Sequence, residues 1–178
     1  MRKLVAYIAI SLDGKIADAE GGVGWLDTIN HPKDEDYGYS AFIETIDTTV
    51  MGNATYQQVL GFDMPFPYKE QKNYVLTRNR NLKEDEYATF ITSDHAKRLK
   101  EIKQEQGKDI WLIGGGEVNT LCLKASLLDE MIVHFMPFIV GKGIPIFSDA
   151  QLMQNLELTS SKVYSSGVME LRYKVNYR

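Results

Sequence analysis

Asp109-Ile110-Trp111-Leu112-Ile113-Gly114-Gly115-Gly116-Glu117-Val118 is the stretch that decides the fold. A bulky apolar run stops at three glycines, and Val118, Leu121, Cys122 and Ala125 then recur at helical spacing. The pattern predicts a buried strand that turns sharply into a helix. Backbone without side chains lets a ligand approach closely, and the N–H groups that open the next helix favour an anion. The corner therefore suits a phosphate or pyrophosphate. Glycines at such a corner also serve simple close packing, and the segment alone leaves both readings open.

Outward from this corner, strands and helices alternate. Residues 4–10 read as a buried first strand and 11–25 as a glycine-rich loop. Residues 34–46 fit a helix, with Tyr39, Phe42, Ile43 and Ile46 on one face and acids in the first turn. Short strands are expected at 48–51, 73–77 and 88–92, and a short helix at 54–60 closed by Gly61. Ser93 or Asp94 caps a charged helix running to Gln106 and ended by Gly107. A long apolar strand is expected at 130–140. Segments 156–164 and 168–177 flank Ser165-Ser166-Gly167 as an antiparallel hairpin, with Met169, Leu171, Tyr173, Val175 and Tyr177 alternating with polar residues. The expected product is a single α/β domain over 1–178. It is three-layered (αβα), with a mixed, mostly parallel sheet of about eight strands, helices on both faces and a C-terminal antiparallel hairpin.

Composition narrows the function classes. At 178 residues and a net charge of −4, the chain carries no basic footprint for nucleic acid. No apolar run reaches the ~18 residues of a membrane span. The basic start at Arg2 and Lys3 leads into an alternating strand rather than a leader. These features point to a soluble cytoplasmic protein. The one cysteine, Cys122, reads as a small buried hydrophobe, with a nucleophile as the alternative. A cysteine-rich zinc framework is excluded, and no metal is expected.

In a mostly parallel sheet, ligands bind where loops leave the carboxyl ends of strands. Here those corners are Ser11-Leu12-Asp13-Gly14-Lys15, Met51-Gly52-Asn53-Ala54-Thr55, Leu76-Thr77-Arg78, Thr92-Ser93 and Gly114-Gly115-Gly116. The G-x-G-x-x-G fingerprint and the phosphate loop ending in Gly-Lys-Ser/Thr are both absent, so a dinucleotide needs another architecture. Val50-Met51-Gly52-Asn53-Ala54-Thr55-Tyr56 resembles the Met-Gly-Arg-x-Thr-Trp segment of dihydrofolate reductase. Ile113-Gly114-Gly115-Gly116-Glu117-Val118 resembles its second glycine corner. Ser11-Leu12-Asp13-Gly14-Lys15-Ile16-Ala17, with Trp25 downstream, resembles its first loop. The match to the reductase domain of the riboflavin-biosynthesis deaminase–reductase is as good or better. It extends through Leu127-Leu128-Asp129-Glu130 to Pro137, Gly141, Gly143, Pro145 and Phe147. The zinc signature of the deaminase half is missing, so the resemblance is to a free-standing reductase.

The resemblance implies a dihydrofolate reductase-like fold and NADPH-dependent reduction of a pterin-like or ribityl-aminopyrimidine-like ring. By carry-over, Ala9, Ile16, Gly52, Asn53, Thr55, Leu76, Thr77, Arg78, Ser93, Ile113, Gly115, Gly116, Glu117 and Val118 line the cofactor groove. Two basic positions are altered, to Asn53 and Glu117, which leaves Arg78 as the cation for the 2′-phosphate. Asp36 falls where the family's substrate-contacting acid stands. In an apolar cleft near Trp25 its pKa is expected to be raised, making it a proton donor. The competing reading is an acid that favours the helix dipole and faces water. His31 and His134 are alternative donors. Trp25 either flanks the substrate ring or anchors a loop. The apolar strand 131–140 and the riboflavin-pathway resemblance imply a homodimer, although a buried central strand explains the same run. The arginine that grips folate's tail falls on Gln71, which argues against folate. The alternatives to an enzyme are a non-catalytic nucleotide-binding protein and a dimeric interaction protein on the same scaffold.

Overall fold

The computed structural model of the chain describes residues 1–148 and 151–177. Its strands are β1 (Leu4–Ser11), β2 (Lys15–Asp18), β3 (Ile46–Gly52), β4 (Lys72–Leu76), β5 (Ala88–Ile91), β6 (Asp109–Gly114), β7 (Glu130–Met136), β8 (Gly143–Pro145), β9 (Leu156–Val163) and β10 (Met169–Val175). Its helices are α1 (Tyr39–Glu44), α2 (Asn53–Leu60), α3 (His95–Gln104) and α4 (Gly116–Lys124), with a 3₁₀ turn at Gly24–Thr28. Eight strands form one sheet in the order β5-β4-β3-β6-β1-β7-β10-β9, while β2 pairs with β8 in a separate ribbon. From β5 to β7 all pairs are parallel, and β10 runs antiparallel to both β7 and β9.

Strand composition accounts for the layers. In β1 the sequence LVAYIAIS is apolar on both faces, which suits a strand covered on both sides. Leu4, Ala6, Ile8 and Ile10 pack with Leu99 and Ile102 of α3 and with Val118, Cys122 and Leu123 of α4. Val5 turns to the other face, with Trp111, Ile132 and Phe42 of α1. Met51 and Val75 meet Tyr56 and Val59 of α2, so α1 and α2 share one face and α3 and α4 the other.

Several boundaries differ from expectation. The helix expected at 34–46 is reduced to Tyr39–Glu44, because Tyr37 (φ 54°) and Gly38 (φ 82°) are left-handed and interrupt it. Ile46 instead opens β3, opposite Asp109. The loop expected at 11–25 contains β2, whose partner lies far along the chain. The strand expected at 130–140 stops at Met136: Pro137 has no N–H to donate, and the Phe138 N–H bonds back to the Met136 carbonyl at 2.8 Å. Asp94 stands at the start of α3, but with φ 49° and no side-chain cap.

Candidate active site

Parallel pairing brings the carboxyl ends of β1, β3, β4, β5 and β6 to one edge of the sheet. The five glycine and hydroxyl corners therefore line up there. Near this edge Ile10, Ser11, Met51 and Gly114 stay buried, but single positions between them are partly uncovered. Ala9 on β1, Gly52 on β3 and Ile113 on β6 are half-buried, although residues earlier in the same strands are buried on both faces. These partly uncovered positions mark a candidate cleft at the middle of the sheet.

The three corner glycines have different duties. Gly114 has φ 117°, a conformation that L side chains rarely adopt. A Cβ on Gly116 would stand 2.4 Å from the Pro145 carbonyl oxygen, so Gly116 packs α4 against β8. A Cβ on Gly115 would meet only Thr55 Oγ1 at 3.5 Å and Ile16 Cδ1 at 3.8 Å, so Gly115 faces the cleft. The Gly114–Gly115 peptide is cis.

Three buried polar atoms among the described residues have no hydrogen-bond partner: Asn53 Oδ1, Asn119 Oδ1 and Trp25 Nε1. Asn53 opens α2. Asn119 Oδ1 lies 3.6 Å from where a Gly114 Cβ would be. Trp25 stacks on Phe138, just past the end of β7, at 5.5 Å. A buried polar group left unmade costs about 1–3 kcal/mol. All three belong to segments that meet the carboxyl edge of the sheet.

The first loop is pinned rather than free. The Asp13 carboxylate accepts from Ser11 Oγ at 2.7 Å, Gly141 N at 2.8 Å and Val140 N at 3.0 Å. The Ser11 hydroxyl and these amides hold its pKa down at about 2. Asp13 thus ties the loop after β1 to the loop after β7.

On the α1 face, half-buried Tyr7, Tyr39, Ile43, Tyr68 and Ile113 pack around a core that includes Trp111. Asp36 does not behave there as the expected acid. Its carboxylate accepts from Gly38 N at 2.8 Å and Ser40 N at 2.9 Å, capping α1. Hydrogen bonds from Ser40 and then Gly38 lower its pKa to about 2, which overturns the raised pKa expected of a proton donor.

The sheet register also sets His134 beside Ala9, and Glu170 beside His134. His134 Nε2 is shared between the Tyr37 carbonyl at 3.1 Å and Glu170 Oε2 at 3.2 Å. Tyr164 Oη donates to Glu170 Oε2 at 3.0 Å, and Arg172 Nε donates to Oε1 at 2.5 Å. Burial lowers the His134 pKa against the opposing pull of Glu170. Burial alone would raise Glu170, but Arg172 and Tyr164 outweigh it and hold the carboxyl below its ordinary range. Sequence reasoning missed Glu170, Tyr164 and Arg172. The β10 alternation assigned the inward face to Met169 and Leu171, yet Met169 is exposed and Glu170 buried. A lone acid opposite a histidine on a neighbouring strand was the one available signal.

The remaining expected residues distribute as follows. Ile16, Asn53 and Thr55 are half-buried at the cleft corners. Leu76, Thr77, Gly116 and Val118 are buried, with Thr77 Oγ1 accepting from Asn79 N at 3.1 Å. Ser93, Arg78 and Glu117 are exposed. Arg78 is not free: its guanidinium donates to the Glu117 carboxylate. Trp25 is buried with Ile29, Met136, Tyr164 and Val168, as a loop anchor would be. Cys122 is fully buried, its thiol pushed up to about 12 chiefly by burial, which suits a core residue and not a nucleophile.

An eight-stranded sheet of this order, opened at its carboxyl edge beside a triple-glycine corner, defines a dihydrofolate reductase-like α/β protein. Dihydrofolate reductase from Enterococcus faecalis complexed with NADP(H) superposes with a TM-score of 0.67 at 17% identity, covering 98% of this chain and 97% of that one. A putative riboflavin biosynthesis protein from Shewanella sp. PV-4 superposes with a TM-score of 0.87 at 27% identity, over 98% and 99% of the two chains. The uncharacterized protein YwjB of Bacillus subtilis (strain 168) is 37% identical over 172 residues, 97% of each chain. The model of the RibD C-terminal domain matches residues 2–169, and this chain belongs to that family.

Proposed function

We propose that this protein is an NADPH-dependent reductase of a small heteroaromatic ring, pterin-like or ribityl-aminopyrimidine-like, in riboflavin or folate metabolism. The observation that carries the reading is the open space at Gly115, where a Cβ would meet only Thr55 Oγ1 and Ile16 Cδ1, with the unpartnered Asn53 and Asn119 side chains in the two helices that start beside it. The RibD family membership and the NADP(H) named for the Enterococcus reductase support it. The site fits the group. Gly115 leaves space for a pyrophosphate, with Gly52, Thr55 and Ile16 around it. Ala9 and Ile113 offer a flat apolar floor for a nicotinamide, and Thr77, Arg78 and Ser93 lie toward the adenosine half. When bound, NADPH supplies the hydride.

The chain's own residues orient and shield. Tyr39, Ile43 and Tyr68 exclude water from the ring side of the cleft, and Trp25 seals its far end. Asp36 stays ionised, so in this reading it accepts a hydrogen bond from a ring N–H, and the proton that balances the hydride comes from solvent. We further propose that residues 1–178 act as one cytoplasmic domain and that the protein is a homodimer. No helix among the described residues is long and apolar enough to cross a membrane. Strand β7 is interior, paired with β1 and β10, so its apolarity reflects burial. The dimer surface moves instead to β9, the sheet edge, where all eight residues are exposed, Leu158 and Val163 among them. The test is to titrate NADPH against the fluorescence of Trp25 and Trp111, then to follow NADPH absorbance with candidate rings. Saturable binding with turnover is expected. Binding without turnover of any ring would make this a non-catalytic nucleotide-binding protein, and no binding would remove the reading.

A further inference from the structure

Strand order dictates how a dinucleotide would lie along the carboxyl edge. Gly115 follows β6, and Ala9 lies on β1 to one side of it, with β3 and β4 on the other. A nicotinamide on the β1 side sends the adenosine half over β3 and β4. Strand β4 stands two strand spacings, about 10 Å, from β6. At that place Arg78 follows β4, and Glu117 sits in the first turn of α4. The Arg78 Nη2 donates to Glu117 Oε2, so the loop after β4 and the first turn of α4 are joined on either side of β3.

Charge and hydrogen-bond capacity then decide what this place accepts. The guanidinium is already engaged and its charge is cancelled locally. What is left over is an exposed acceptor, the second Glu117 oxygen. A ribose diol brings hydroxyl donors to such an acceptor. A 2′-phosphate brings a second anion and must compete with Glu117 for Arg78. Both side chains of the pair are mostly exposed, 82% and 74%, so the competition takes place in high dielectric and weakens with added salt.

We propose that Glu117 is the coenzyme-selectivity residue: by holding Arg78 it keeps the site from favouring NADPH over NADH by more than about threefold. This rests on the dinucleotide reading above and deepens it. The experiment titrates NADPH and NADH against tryptophan fluorescence in the wild type, Glu117→Gln and Glu117→Gln/Arg78→Ala, at low and high salt. Glu117→Gln is expected to tighten NADPH about tenfold and leave NADH unchanged, because a like charge is removed and Arg78 is released. The NADPH/NADH ratio of Glu117→Gln should fall with added salt, whereas the wild-type ratio should hardly move. Arg78→Ala in the Glu117→Gln background should return the ratio to near the wild-type value. A wild-type preference for NADPH clearly above threefold, or an unchanged ratio in Glu117→Gln, overturns the proposal while leaving the dinucleotide site standing. Failure of both coenzymes to bind any of the three proteins removes the site and the proposal together.

Discussion

Adjacent glycines at one corner should respond to the same methyl group in opposite ways. In Gly116→Ala the new Cβ stands 2.4 Å from the Pro145 carbonyl oxygen and 2.8 Å from Ser148 Oγ. A backbone oxygen cannot rotate away, so α4 and β8 must part. Overpacking of this kind costs about 1–3 kcal/mol. At roughly 2–4 °C per kcal/mol for a chain of this size, the melting temperature should fall by about 2–12 °C. In Gly115→Ala the Cβ meets ordinary contacts at 3.5 and 3.8 Å, and φ −74° with ψ −164° is extended backbone open to any residue. Stability should therefore stay within about 1 kcal/mol of wild type. The same methyl occupies the space between Thr55 and Ile16 where the pyrophosphate is proposed to lie. NADPH affinity should drop at least about tenfold, or ~1.4 kcal/mol. Urea denaturation gives the first quantity and tryptophan quenching by NADPH the second. A well-folded Gly115→Ala that binds NADPH as tightly as wild type would refute the assignment of the open glycine. Equal melting losses in the two variants would refute the division of labour between them.

Three further outcomes are expected. His134 is held neutral in the fold, whereas the unfolded chain takes up a proton below the ordinary value of 6.5, so stability falls as pH drops from 6.5 through the depressed folded pKa. Glu170, kept ionised in the fold, adds a second loss below its ordinary 4.5. His134→Gln should remove the first slope, which is at most about 1.4 kcal/mol per pH unit, and leave the second; urea midpoints between pH 4 and 8 would show an unchanged slope if the assignment is wrong. Leu158→Lys with Val163→Lys on β9 should turn a micromolar dimer into a monomer by sedimentation, and a monomeric wild type would end that proposal. Dihydrofolate should be turned over with kcat/KM well below the usual ~10⁴ M⁻¹s⁻¹, since the half-buried Gln71 lacks the charged fork a carboxylate prefers; steady-state kinetics in the normal range would contradict it.

What was legible in the sequence was local. The strand ending at Gly114, the helix beginning at Gly116, and the hydroxyl and glycine corners at 51–55 and 76–78 all follow from short-range pattern, and the structure places them on one edge. The reduction of the 34–46 helix was half legible: Gly38 is visible in the chain, but a left-handed Tyr37 bonded to Glu35 and Ser166 is not. Strand β2 was hidden because its four residues become a strand only when β8 arrives beside them. The site shows the same limit more sharply. Arg78 and Glu117 could be read only as a cation kept and a cation lost, because nothing local reveals that β4 and α4 bring the two within bonding reach. Asp36 could be read only as an acid near a helix start, yet hydrogen bonds from Ser40 and Gly38 decide its charge. Glu170 looked like a solvent-facing strand residue until β7 and β9 closed around it. In each case the residue was visible and its partner was not. The protonation state, and with it any chemical role, belongs to the pair.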